Sequence, residues 1–236
     1  MSKFTDRIKR VKGYFSRGEL ALWCGSVALI IAAFLLFDRG SVLTLVASLI
    51  GVTSLIFNAK GNPFGQVLVI AFSVLYGIIS YSFAYYGEMI TYMTMTAPMA
   101  VLALISWLRN PYSESKAEVR VNRRLAPREI VLMLLLAAAV TTAFYFILRA
   151  FGTANLIPST VSVATSFVAV YLTARRSPYF AVAYAANDIV LIILWGIAAF
   201  TDVTYISVII CFVTFLANDV YTFFNWLKIA KRQNGE

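Results

Sequence analysis

The sequence contains no histidine. That removes imidazole acid–base catalysis, the commonest zinc ligand and the side chain that titrates nearest neutrality. It has two cysteines, Cys24 and Cys211, each inside an apolar run. Neither a disulfide framework nor a thiolate metal spacing follows from two such residues, and both are expected to be small buried hydrophobes. Charge is scarce as well: 13% of the 236 residues are Asp, Glu, Lys or Arg, about half the share of a soluble domain. No H-E-x-x-H and no clustered D-x-x-x-D occurs, and together with the missing histidine this speaks against an intramembrane hydrolase. No cofactor motif is visible, and the expectation is a protein that is not an enzyme.

What the chain has in abundance is apolar surface. Hydrophobic residues make up 61% of it and the mean hydropathy is +0.80, the profile of an integral membrane protein. A spanning helix needs about 20 mostly apolar residues. Eight segments qualify: Leu20–Phe37, Ser41–Asn58, Pro63–Phe83, Glu88–Trp107, Glu129–Phe151, Asn155–Ala174, Pro178–Phe200 and Thr204–Lys228. The first is too long for the apolar stretch of a signal peptide and ends in Asp38-Arg39 without a small-residue cleavage site, so it reads as a retained helix. Pro63, Pro158 and Pro178 fall at or near helix starts, where a missing N–H costs nothing. Pro98 lies inside the fourth segment and should kink or loosen it.

The net charge of +9 does not point to nucleic acid, because the basic residues sit between the apolar runs. With the N-terminus inside, 18 of the 20 Lys and Arg fall on the inner side, leaving only Arg39 and Arg149 outside. This bias predicts eight helices with both ends cytoplasmic. The stretch "KFTDRIKRVKGYF" places Phe4, Ile8, Val11 and Phe15 at helical spacing among basic residues. It reads either as an amphipathic helix on the inner leaflet or as a basic tail. Residues 109–128 form the longest basic loop, expected to be solvated.

Two stretches repeat. "NAKGNPF" (Asn58–Phe64) matches "TARRSPY" (Thr173–Tyr179), and "ISWLRN" (Ile105–Asn110) matches "FNWLKI" (Phe224–Ile229). The Pro-to-Trp distances are 44 and 48 residues. The expected architecture is therefore all-α with a 3+1+3 parallel-repeat core. It divides into a cytoplasmic segment 1–19, an extra helix 20–37, a first three-helix repeat 41–108, the basic loop 109–128, a connector helix 129–151, a second repeat 155–228 and a tail 229–236.

The polar residues inside the apolar runs are the candidate site. "AYAANDIVLIILW" (Ala183–Trp195) and "FLANDVYTFFNW" each carry an Asn-Asp pair. Aspartate at a helix centre costs roughly 2.5–3.5 kcal/mol on insertion scales and so usually faces the bundle interior. Tyr184, Asp188, Leu191 and Trp195 share a helical face with Asn187 beside it. On the eighth segment Thr214, Asn218, Tyr221 and Asn225 share a face, with Asp219 at its edge. The third segment offers Gln66, Ser73, Tyr76 and Ser80, and the fourth Glu88, Tyr92 and Thr96. Asn58, Ser73 and Ser80 read as packing residues. Tyr85, Tyr86, Tyr112 and Tyr205, near helix ends, read as membrane-interface anchors. The candidate substrate-binding set is Asn187, Asp188, Tyr184, Trp195, Gln66, Tyr76, Tyr92, Thr96, Asn218 and Tyr221. Amides, hydroxyls, aromatic faces and carboxylates with no basic residue at that depth suit a flat, polyhydroxylated, neutral or cationic molecule. A scaffold or sensor whose polar faces pack only on each other is the alternative.

At these residues the chain resembles the PnuC family of bacterial vitamin transporters, whose best-known substrate is nicotinamide riboside. The resemblance rests on "GQVLVIAFSVLYGIISYSFAYYGEMITYMTMTAPMAVLALISWL" (Gly65–Leu108) and "YFAVAYAANDIVLIILWGIAAFTDVTYISVIICFVTFLANDVYTFFNWLK" (Tyr179–Lys228). It implies a fold similar to the sugar transporters called SWEETs with one added N-terminal helix, and a homotrimer in the bacterial cytoplasmic membrane. It also implies facilitated diffusion of the vitamin followed by trapping by a cytosolic riboside kinase, as part of NAD salvage. Relatives that look similar carry thiamine or riboflavin. Many relatives have a W-x-x-W-x-x-x-N pattern; here the asparagine is Asn187 and the tryptophan positions hold Phe180 and Ala183. Tyr184 or Trp195 is expected to provide the stacking instead.

Overall fold

The structure, a computed structural model, describes residues 14–82, 85–112, 117–153 and 155–235. Among them eight helices are long and apolar enough to cross a membrane. They are α1 (Arg17–Phe37), α2 (Val42–Ala59), α3 (Phe64–Ser82), α4 (Tyr86–Arg109), α5 (Pro127–Ala150), α6 (Leu156–Ala174), α7 (Phe180–Ala199) and α8 (Ile206–Gln233). The proposed inner-leaflet segment lies outside the described residues except at its end, where Phe15 packs edge-on against Phe57.

Helix starts follow local chemistry more than hydropathy. α1 begins three residues before its apolar run because Ser16 and Glu19 form a capping box: the Ser16 hydroxyl accepts from the Glu19 N–H and the Glu19 carboxylate accepts from the Ser16 N–H. Within α4, residues Thr91–Thr96 form wide π-type turns just ahead of Pro98. Proline offers no N–H to the carbonyl four residues back, so the regular ladder is interrupted at that point. The loosening expected from the sequence takes this form, and the helix continues through it to Arg109.

α1 is clasped to α8 along its length. Tyr221 Oη donates to Glu19 Oε1 at 3.0 Å near one end. Asn218 Nδ2 donates to Ser26 Oγ at 3.0 Å in the middle. Ser207 Oγ donates to Asp38 Oδ2 at 3.4 Å near the other end. Burial raises the Asp38 carboxyl above its ordinary range, and the Ser207 hydroxyl opposes the shift. Glu19 also meets Lys60 at 3.4 Å, which joins α1 to the end of α2. α5 has the least buried apolar stretch of the eight and turns Leu132, Leu134 and Leu135 outward. Cys24 is exposed on α1, not buried as its apolar setting suggested, because one side of that outer helix faces away from the bundle; Cys211 is buried.

Two fully buried indoles tie helix ends across the bundle. Trp107 Nε1 donates to the Thr173 carbonyl at 2.8 Å, and Trp226 Nε1 donates to the Asn58 carbonyl at 2.8 Å. The first joins the end of α4 to the end of α6, the second the end of α8 to the end of α2. The two rings lie 5.4 Å apart, with Phe180 4.8 Å from Trp226.

The basic loop is not the freely solvated segment expected. Val119 is fully buried and its N–H donates to the Gly61 carbonyl at 2.9 Å. Asn122 N donates to Arg176 O, and Val121 N to Gln233 Oε1. Arg232 and Gln233 in turn bind Glu118. The α2–α3 turn, this loop, the α6–α7 turn and the end of α8 therefore meet at one end of the bundle. Crowding at that end tells on Arg176: burial and the nearby Arg175 and Arg120 lower its pKa.

Replacing Trp107 or Trp226 by phenylalanine removes a buried indole hydrogen bond and leaves a gap in the packing at the helix ends. Each change should destabilise the protein by about 1–3 kcal/mol, read as a lower midpoint in detergent thermal unfolding. An unchanged midpoint for both variants would show that the indole bonds do not hold the helix ends.

Candidate functional site

A small cavity of about 50 Å³ lies between α2, α3, α4, α7 and α8. One part of the wall is aromatic: Phe72 from α3, Tyr92 from α4, Tyr184 from α7 and Phe212 and Phe215 from α8. Phe72 lies edge-on to both Tyr92 and Phe215, at 6.0 and 5.5 Å between ring centres. Gly51 on α2 permits this packing, since a Cβ there would collide with the Phe215 ring. The polar part is Ser54 and Asn58 from α2, Ser73, Thr96, Asn187, Asp188 and Asp219. Among the described residues no Lys or Arg lines the cavity.

Asn187 is oriented from behind. Its Oδ1 accepts hydroxyl hydrogen bonds from Ser162 (3.3 Å), Thr165 (2.8 Å) and Ser166 (3.0 Å), all on α6. Ser162 and Ser166 are one helical turn apart, with Thr165 between them, which is why one oxygen meets all three. With the oxygen committed, the amide NH₂ is what Asn187 offers to the cavity. Asn58 is held in a comparable way: its Oδ1 accepts from Gln66 Nε2 at 2.9 Å, and its backbone carbonyl takes the Trp226 bond. Asp188 and Asp219 are 4% and 2% exposed and their carboxyl groups lie within hydrogen-bond reach of each other.

The expected site residues divide into two groups. Asn187, Asp188, Tyr184, Tyr92 and Thr96 come together on the cavity wall. Gln66 stands one step back, bound to Asn58. Tyr76 and Trp195 form a lock of their own, in which Trp195 Nε1 donates to Tyr76 Oη at 2.8 Å. Trp195 is fully buried against Tyr85 and Tyr205, so it is not the stacking residue of the cavity. It sits seven residues beyond Asp188, about 10 Å along the helix. Tyr85 is accordingly a buried member of this cluster and not an interface anchor. Asn218 and Tyr221 face α1. The face of α8 that reaches the cavity is Phe212, Phe215 and Asp219.

Asn58 and Ser73, expected to serve packing, line the cavity, as do Ser54, Leu55, Val69, Phe72, Phe212, Phe215 and Asp219, which the sequence reading left out of the site. The second Asn-Asp pair was the available signal for Asp219. Phe180, at one of the two positions where relatives carry tryptophan, packs on Trp107 and Trp226 at the helix ends. The aromatic wall is instead drawn from α3, α4, α8 and Tyr184.

A buried polar cavity with an aromatic wall inside a multi-pass bundle suits a membrane transporter of small solutes, and the family, the relatives and the solved structure that the chain matches are those of a transporter, not an enzyme. Residues 41–228 match the family described as nicotinamide mononucleotide transporter, and the chain belongs to this family, the PnuC transporters. It is 27% identical over 219 residues to the nicotinamide riboside transporter PnuC of Neisseria mucosa, covering 92% of this chain and 83% of that one. To the protein of the same description from Haemophilus influenzae it is 21% identical over 192 residues, covering 81% and 82%. The crystal structure of a vitamin B3 transporter PnuC superposes with a TM-score of 0.80 at 25% identity, covering 93% of this chain and 94% of that one.

Asn187→Ala and Asn218→Ala should separate the two kinds of polar residue. The first is expected to weaken ligand binding by about tenfold or more, the loss of a buried, oriented donor, and also to lower the melting temperature, because the buried Ser162 and Ser166 hydroxyls lose their acceptor. The second should lower the melting temperature and leave affinity nearly unchanged. The reverse pattern would place the binding surface on the α1-facing side of α8.

Proposed function

We propose that the chain carries nicotinamide riboside across the bacterial cytoplasmic membrane by facilitated diffusion, with both termini in the cytoplasm. The observation that carries this reading is the cavity itself: oriented amides and hydroxyls, aromatic faces, two carboxyl groups and no cation on its wall. The ribose hydroxyls would be met by Asn187 and Asn58, the pyridinium ring by Tyr92, Tyr184 and the phenylalanines, and its positive charge by Asp188 and Asp219. The family description names the mononucleotide and the curated relatives are named for the riboside. The absence of Lys and Arg from the wall favours the riboside, because a buried phosphate without a charged partner is costly.

Residues 41–108 and 155–228 form the two parallel repeats of a SWEET-like core in this proposal, with 129–151 as connector and 20–37 as the added helix. The equivalent indole bonds of Trp107 and Trp226 support that division. Cytoplasmic placement of the termini rests on the basic turns, which gather at one end of the bundle. The family resemblance adds a homotrimer and trapping of the riboside by a cytosolic kinase in NAD salvage. No energy input is required where phosphorylation removes the transported form.

Calorimetric titration of the purified protein tests the reading. Nicotinamide riboside should bind, and nicotinamide mononucleotide should bind at least about tenfold more weakly, a difference of about 1.4 kcal/mol or more. Preferential binding of thiamine would retain the transporter and change its cargo. Binding of none of the three would return the polar wall to a packing role.

A further inference from the structure

Asp188 on α7 and Asp219 on α8 present a chemical problem that the transport reading alone does not solve. Both are almost fully buried, and both line the cavity. Asp188 Oδ2 and Asp219 Oδ1 are buried without a hydrogen-bond donor, yet the two carboxyl groups are within hydrogen-bond reach of each other. The titratable groups facing them are Tyr92 from α4, Tyr184 from α7 and Cys211 from α8, none of which supplies a positive charge. Glu88, near Tyr92, adds only a further acid. Two like charges in contact inside a low-dielectric wall cannot both persist, and carboxyl pairs in this position hold one proton between them. One proton shared by the two carboxyl groups gives the pair a donor as well as an acceptor.

We propose that Asp188 and Asp219 act as an acid pair sharing one proton, so that the cavity presents a single negative charge and selects monovalent organic cations over uncharged molecules of the same shape. This inference rests on the transport reading and names what that site discriminates. The pair makes ring charge a criterion of selection alongside ring shape and ribose hydroxyls. The protonated member holds the ionised member in place by a hydrogen bond, and the ionised member meets the cation. The net charge of the pair is the same whichever member holds the proton.

The test uses calorimetry at neutral pH with nicotinamide riboside and its 1,4-dihydro form, which keeps the ribose and carboxamide but has an uncharged ring. The wild-type protein should bind the cation about tenfold or more tightly than the dihydro form. Asp188→Asn and Asp219→Asn should each keep that preference, because an amide replaces the protonated acid as donor and one charge remains. The double Asn variant should lose the preference and bind both forms alike; its binding of the dihydro form reports that the cavity is intact. The wild-type binding enthalpy should not depend on the ionisation heat of the buffer, since no proton leaves the pair. Loss of the preference in both single variants, or a proton released when the riboside binds, would overturn the shared-proton pair. Equal wild-type binding of both forms would overturn the charge selectivity and leave the transport reading standing. Failure of the wild type to bind either form would overturn the transport reading and this inference with it.

Discussion

Hydrocarbon offers no hydrogen bonds, so each polar side chain carried into the bilayer has to be met by another group of the protein or by a cavity. This constraint organises the molecule. The indoles of Trp107 and Trp226 meet backbone carbonyls at helix ends. Asn218, Tyr221, Glu19 and Ser26 meet each other between α1 and α8. Asn187 is met on its oxygen by three hydroxyls of α6 and left open on its nitrogen. Thr96, Asp188 and Asp219, each with a buried side-chain oxygen that finds no partner, line the cavity beside Asn187.

The same logic divides each of two helices into a holding part and a binding part. On α8, Ser207, Asn218 and Tyr221 hold α1, and Phe212, Phe215 and Asp219 face the cavity. On α7, Tyr184, Asn187 and Asp188 reach the cavity, and Trp195 locks onto Tyr76 further along. Binding residues therefore lie between packed anchors. The π-type turns of Thr91–Thr96 put Tyr92 and Thr96 on the cavity wall within the least regular stretch of any spanning helix, a place where a small rearrangement of backbone disturbs few regular hydrogen bonds.

The eight spanning helices were legible in the sequence because hydropathy and turn chemistry are local. Ser41, Pro63, Pro178 and the Arg175-Arg176 turn mark helix boundaries without reference to the rest of the chain. The site was half legible. Asn187 and Asp188 stand out because a carboxylate in an apolar run demands an explanation. Choosing between the faces of α8 was beyond a single-helix argument: both carry polar residues, and only the position of α1 decides that Asn218 turns away and Asp219 turns in. Trp195 was misplaced for a similar reason, since shared face does not mean shared depth. Asn58 was read as packing because Asn, Ser and Thr inside spanning helices commonly bond neighbouring helices, and pattern alone does not show that it also lines the cavity with Gln66 behind it.

The most direct test is an experimental structure of the protein with nicotinamide riboside bound. The account predicts ligand density between Asn187, Tyr92 and the Asp188–Asp219 pair, with the ring against the aromatic wall and the Trp195–Tyr76 bond intact. Density at Trp195, or between α1 and α8 beside Asn218, would contradict it.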